Sequence, residues 1–167
     1  MKAGVHDTKT EWNWGLRDKF GSLSIGESRD APPEITSSLP KGCLLEAFGM
    51  RLLKVGPGAA LVEMKLTPIH MNQRGIAQAG AIVALADAAA GWATLPALAE
   101  GTHFTTLELK ANLLRASRAG DVLHAVVTPV HVGGSTIILD VSVNKQDLNQ
   151  TTVAKFSCTQ LVLKPRS

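Results

Sequence analysis

Residues 72–92 read N-Q-R-G-I-A-Q-A-G-A-I-V-A-L-A-D-A-A-A-G-W, and the fold turns on how this run is taken. It is almost wholly small and apolar, with one carboxylate, Asp87, set in its middle. From Ala77 to Leu98 no other residue carries a charge. As a helix it turns Ala, Gly and Ile in every direction, which predicts burial nearly all round. Its small side chains let a sheet wrap close to the helix backbone. A buried, unpaired Asp is costly, and such groups concentrate at functional sites. Asp87 is therefore the leading candidate for chemistry, against the alternative of a satisfied structural carboxylate.

The segment from Ile76 to Leu98 is also long enough to resemble a membrane span. A central Asp costs about 2.5–3.5 kcal/mol on insertion scales, and Ala stands where Leu is expected. The run reads as a core helix. Asn72 and Gly75 precede it, and Gln78-Ala79-Gly80 form its expected first turn. There the backbone N–H groups lack intrahelical partners and meet the positive end of the macrodipole. Both favour a developing negative oxygen, as in acyl transfer. Asp87 lies nine residues after Gln78, about 13.5 Å along the axis. One substrate carbon cannot reach both within a single helix. An antiparallel second copy would bring them together, so the spacing points to a symmetric dimer with composite sites.

Outward from the helix the pattern is that of strands. Phe48, Met50 and Leu52 lead to the Gly56-Pro57-Gly58 turn signal. Ala60, Val62, Met64 and Leu66 alternate with Leu61, Glu63, Lys65 and Thr67, predicting one buried and one half-polar face. Pro68 closes that strand, and a loop through His70 and Arg74 delivers Asn72. Pro96 and Gly101 end the helical region. Four strand-like stretches follow at about 102–115, 121–132, 135–146 and 151–163. Turns at Gly120-Asp121, Gly133-Gly134 and Asp147-Leu148-Asn149-Gln150 separate them. Two strands, one long helix and four antiparallel strands make an α+β layout, a curved sheet around one helix. Residues 1–38 read as an N-terminal extension. Trp12, Trp14, Leu16 and Phe20 suit either a short docking helix or a mobile tail. Gly21–Ser38, with Pro32-Pro33, reads as loop. Residues 39–167 form the main domain, with one helical turn expected from Leu39-Pro40-Lys41 towards Phe48.

Composition excludes several classes. The chain of 167 residues suits one domain with a sizeable core, with 45% hydrophobic and 19% charged residues. The net charge of +3 suits either a polyanionic ligand or plain solubility. No Lys/Arg run or zinc-finger spacing argues for nucleic acid. Cys43 and Cys158 lie far apart, which predicts reduced thiols and a cytoplasmic setting. His70, His103, His124 and His131 show no paired ligand spacing, so no metal is expected. No phosphate-binding glycine loop or serine nucleophile elbow is present.

The pattern Asn72-x5-Gln78-Ala79-Gly80-x6-Asp87, followed by Thr106-x-Glu108-Leu109-Lys110-x-Asn112-Leu113-Leu114-Arg115, resembles the PaaI-like hotdog-fold thioesterases of the phenylacetate-pathway type. Order and spacing match over roughly residues 44–164. The family reads Asn, then His-Gly-Gly, then Leu-x-Asp. Leu85-Ala86-Asp87 keeps the last part, while Gln78-Ala79 replaces His-Gly. The resemblance implies a hotdog fold and hydrolysis of an acyl- or aryl-CoA thioester without cofactor. It also implies a homodimer at least, by family analogy a tetramer.

By the same resemblance Asp87 is the catalytic carboxylate, acting as general base or as nucleophile. Ala79 offers its N–H to the thioester oxygen. Gln78 stands near the leaving thiol, where an amide can donate a hydrogen bond but cannot shuttle a proton. Asn72 contacts the carbonyl or positions water, its competing role being a turn or N-cap. Thr106 holds water near Asp87, or is an ordinary strand threonine. Substrate binding falls to Gly75, Gly80, Arg115 and the hairpin Gly133-Gly134-Ser135, whose N–H groups suit a phosphate. Lys110 and Arg118 are further phosphate candidates, or solvated strand cations. Two other functions stay open: an acyl-CoA-binding hotdog protein without turnover, and, less favoured for want of an Asp–His pair, a hydratase or dehydratase.

Overall fold

The alternation read along Ala60–Leu66 is realised as burial: Ala60, Val62, Met64 and Leu66 are buried, while Lys65 and Thr67 are exposed. The computed structural model describes residues 15–165. In order, its elements are α1 (Leu16–Phe20), β1 (Arg29–Asp30), α2 (Pro33–Ser37), α3 (Leu44–Ala47), β2 (Met50–Gly56) and β3 (Ala59–Lys65). Then come the central helix α4 (Ala79–Thr94), β4 (His103–Leu113), β5 (Val122–Val132), β6 (Thr136–Lys145) and β7 (Thr152–Leu163). The strands form one antiparallel sheet in the order β1-β2-β3-β5-β6-β7-β4. α4 packs against one face of it, touching β2 through β7. This is the hotdog arrangement, α+β, that the resemblance implied.

Alanine is the strongest helix former, and α4 is rich in it. Ala86, Ala89, Ala90 and Ala93 are wholly buried, so the sheet meets the helix across single methyl groups. The C-terminal end is closed by Thr94, whose Oγ1 donates to the Ala90 carbonyl at 2.8 Å. Pro96 then turns the chain through a single 3-10 turn, Leu95–Ala97. The long apolar run is thus the core helix of a folded domain.

Burial all round is not what the helix shows. Val83, Ala84, Asp87, Ala88 and Gly91 are only half-buried and Gly80 is exposed, recurring at three- and four-residue steps on one face. The sheet of one chain covers one side of α4, and composition alone gives no sign of which side is left. The loop reading of Gly21–Ser38 is also corrected. It holds β1, which pairs with β2, and α2, which buries Ile35. Pro32-Pro33 was a helix-start signal, since Pro33 takes the first helical position where no N–H is needed. α1 docks beside the 3-10 turn by burying Leu16 and Phe20; Trp12 and Trp14 lie outside the described residues. The helical turn expected from Leu39 begins instead at Leu44.

The Gly120-Asp121 turn is pinned electrostatically. Asp121 Oδ2 accepts the Arg118 N–H at 2.9 Å and lies 2.8 Å from Lys145 Nζ. Partial burial works against the Asp121 charge, but the Lys145 hydrogen bond, the Arg118 N–H and the Lys145 charge outweigh it. They hold the carboxyl below the usual aspartate range. A depressed carboxylate contributes stability above its unfolded pKa and loses it as pH falls through its folded one. Asp121→Asn is therefore expected to melt below the wild type at neutral pH, with the gap closing as pH drops below the usual aspartate range. Thermal melts across pH check this; a gap independent of pH would refute it.

Candidate active site

The expected site residues fall into separate groups. Asp87 and Thr106 meet directly: Thr106 Oγ1 donates to Asp87 Oδ1 at 2.8 Å, joining α4 to β4. Thr106 reaches the helix because β4 is bulged between Thr106 and Glu108, which gives Leu107 the extra position and leaves it exposed. The pair sits at a pocket of about 230 Å³ lined also by Leu45, Ala88, Gly91, Trp92, Leu95 and Phe104. Asp87 is half-buried, not sealed in the core as the composition of the run suggested. Its neighbour on β7, Cys158, is no competing nucleophile. Burial, then the charges of Asp87 and Asp140, push its thiol up to about 12, so it stays protonated.

The second group is the helix start. Met71 bridges Ala77, and the Gln78 N–H donates to the His70 carbonyl at 2.8 Å, closing the loop between them. Gly75 turns that loop with φ +69°, a conformation that disfavours any side chain. Asn72 braces it, its Oδ1 accepting the N–H groups of Arg74 at 2.8 Å and Ile76 at 3.4 Å. The turn role of Asn72 is thus real, and its side-chain NH2 group remains for a ligand. Gln78 is the N-cap rather than a member of the first turn, and it makes no side-chain cap bond. Gln78, Ala79 and Gly80 are exposed, and the N–H groups of Ala79 and Gly80 have no acceptor within the helix.

The remaining candidates do not join either group. Arg115 donates to the Thr152 carbonyl at 3.1 Å. In the Gly133-Gly134-Ser135 hairpin the Gly133 N–H is taken by the Thr136 carbonyl at 3.0 Å, and the Ser135 carbonyl accepts from Val162. Lys110 alternates with the core-packed Leu109, so it faces away from α4. There it lines a polar hollow with Asp140 and Lys155.

Sequence reasoning missed the pocket walls. Phe104 stands two residues before Thr106 on the same strand face, and Gly91 stands one helical turn after Asp87; those periodicities were available. Leu45 comes from α3, and nothing local marks it. His70, set aside as no metal ligand, turns out to be structural. It is buried, its Nδ1 accepts the Thr67 N–H at 2.9 Å, and its Nε2–H donates to the Phe48 carbonyl at 3.2 Å.

Comparison with known proteins places the chain in a family. The family model described as Thioesterase superfamily matches residues 75–152. A proposed esterase of Deinococcus radiodurans is 33% identical over 103 residues, covering 62% of this chain and 68% of that protein. The chain belongs to the thioesterase superfamily. The 1,4-dihydroxy-2-naphthoyl-CoA hydrolase of Listeria monocytogenes is 26% identical over 74% of this chain and 98% of its own length. Among solved structures, the E. coli PaaI protein from the phenylacetic acid degradation operon superposes with a TM-score of 0.64. It is 27% identical, over 70% of this chain and 81% of that one. The expected PaaI likeness and the thioesterase family are both borne out.

Because His70 ties the helix-start loop to the Phe48 segment, His70→Ala removes the partners of the Thr67 N–H and the Phe48 carbonyl, both part-buried. Each lost hydrogen bond costs about 0.5–1.5 kcal/mol. The denaturant midpoint is expected to fall accordingly; an unchanged midpoint would show that these bonds do not hold the loop.

Proposed function

We propose that this protein hydrolyses an acyl- or aryl-CoA thioester to a carboxylate and free CoA, with residues 39–167 as the catalytic domain. The observation that carries the reading is the Thr106–Asp87 hydrogen bond at the mouth of an apolar pocket. Thr106 occupies Oδ1, so Oδ2 is the oxygen left to take a proton from water or to attack the thioester carbon itself. Attack forms a tetrahedral oxyanion, which needs preorganised donors. The exposed N–H groups of Ala79 and Gly80 are suited to it, with Asn72 assisting. They lie at the far end of the same helix from Asp87, so the complete site takes them from a second copy of the chain. Collapse of the intermediate breaks the carbon–sulfur bond; on the nucleophilic route water then cleaves the acyl–Asp87 anhydride to release the carboxylate. A thiol leaves readily as thiolate near neutral pH, so Gln78 need only donate a hydrogen bond, not a proton. Arg115 keeps N–H donors for a CoA phosphate beyond the one it spends on Thr152.

The pocket supports the acyl class. Its walls are Trp92, Phe104, Leu95 and Leu45, and about 230 Å³ suits a single aromatic ring or a short branched chain. The Listeria relative's name, a naphthoyl-CoA hydrolase, favours an aryl over an aliphatic acyl group, the aryl of that name being a fused two-ring one. One feature, Gln78 in place of the family histidine, favours a second reading in which acyl-CoA is held without turnover.

Thiol release from acyl- and aryl-CoA thioesters separates the two. Asp87→Asn is expected to lower kcat by about 10²–10⁴-fold while remaining folded. No release by wild type would end the hydrolase reading, and equal release by the variant would end the catalytic role of Asp87. A Cβ at Gly91 would meet Phe104 Cζ at 3.4 Å. Gly91→Val should therefore raise KM for aryl thioesters about tenfold and spare acetyl-CoA; equal effects on both would place the acyl group elsewhere.

A further inference from the structure

Gln160 on β7 is fully buried, and neither its Oε1 nor its Nε2 has a hydrogen-bond partner among the described residues. Native interiors rarely tolerate this, because each unpaired polar group keeps its full desolvation cost. A Met or Leu of similar volume would remove that cost, so an amide here needs another reason. Its place in the sheet supplies one. Gln160 is paired directly with Thr106 on β4 and with Ile137 on β6. Directly opposed residues share a face, with Cβ atoms about 4.5–5.5 Å apart. Its amide therefore lies on the face turned towards α4, beside the hydroxyl that grips Asp87.

Thr106 Oγ1 spends its one proton on Asp87 Oδ1 and keeps two lone pairs as acceptors. The bond to Asp87 already orients this hydroxyl, and a hydrogen bond donated to its oxygen from behind polarises the hydroxyl and stiffens that orientation. A buried water with two or more polar partners can do this, and an amide side chain offers a donor and an acceptor to seat one.

We propose that Gln160 is a positioning residue of the active site: through one buried water it donates to Thr106 Oγ1 and so keeps the Thr106 proton aimed at Asp87. The chain runs Gln160, water, Thr106, Asp87, each member donating to the next, and leaves Asp87 Oδ2 for the reaction. Gln160 itself touches no substrate. The inference rests on Asp87 being the catalyst, as proposed above.

The test combines kinetics and crystallography. Thiol release by Gln160→Met, Thr106→Val and the double variant is compared with wild type and Asp87→Asn, with melting midpoints measured alongside. Gln160→Met is expected to melt at or above the wild type, keep KM, and lose kcat by roughly three- to tenfold. In the Thr106→Val background the same change should do nothing more, because the two act through one chain. A purely structural glutamine predicts the reverse, a lower midpoint with kcat intact, and that outcome overturns the proposal. Independent, multiplying losses overturn it too. Should Gln160→Met not fold, a high-resolution crystal structure of the unaltered protein decides. Ordered water within hydrogen-bonding distance of both Gln160 and Thr106 supports the proposal, and a dry site refutes it. If Asp87→Asn is as active as wild type, Asp87 is not the catalyst, while the bridging water still reports on the Gln160–Thr106 link.

Discussion

Ala86, Ala89, Ala90 and Ala93 offer only methyl groups to the core that α4 shares with the sheet, beside the buried Ile82 and Leu85. Close packing of this kind is unforgiving, since interiors are filled to near crystal density and an added methylene has nowhere to go. The rest of the molecule follows from that packing. The strands have to curve to meet so thin a helix, and the turn between β2 and β3 locks onto its end, where the Gly58 N–H donates to the Ala93 carbonyl at 2.8 Å. With the helix axis held in place, Asp87 is fixed at a definite height above β4, and Thr106 can meet it.

The fold was legible because its two periods are distinct. Alternation along Ala60–Leu66 and the apolar run from Ala77 to Leu98, broken mainly by Asp87, cannot be exchanged for one another, and two glycine turns and the Asp147–Gln150 turn separate the four later strands. What stayed hidden was whatever depends on partners remote in sequence. β1 is two residues long, too short for any alternation to show, and exists because β2 has an edge to offer it. α2 was masked by a proline pair that signals a loop or a helix start equally well until Ile35 is seen to be buried.

The site divides in the same way. Asp87 announced itself as the lone charge in an apolar run, and Thr106 followed from spacing within a family pattern. The hairpin Gly133-Gly134-Ser135 was plausible for phosphate because glycine turns expose N–H groups. In three dimensions the Gly133 N–H is consumed by the turn's own closure. Gln160 carried no local signal at all. It is one polar residue in a strand of alternating pattern, and only its complete burial beside Thr106 sets it apart.

The half-covered stripe on α4 has a consequence for how such a protein changes over time. Residues one position apart on this helix answer to different masters. Ala86, Ala89 and Ala90 are constrained by folding, whereas Val83, Ala84, Ala88 and Gly91 border space that the chain itself does not fill. Substitutions at the first set are paid in stability, and those at the second are felt by whatever molecule occupies the stripe. Helical phase therefore works as an insulator between two kinds of selection. Contacts can drift along one face of α4 while the scaffold that holds Asp87 in place stays constant along the other.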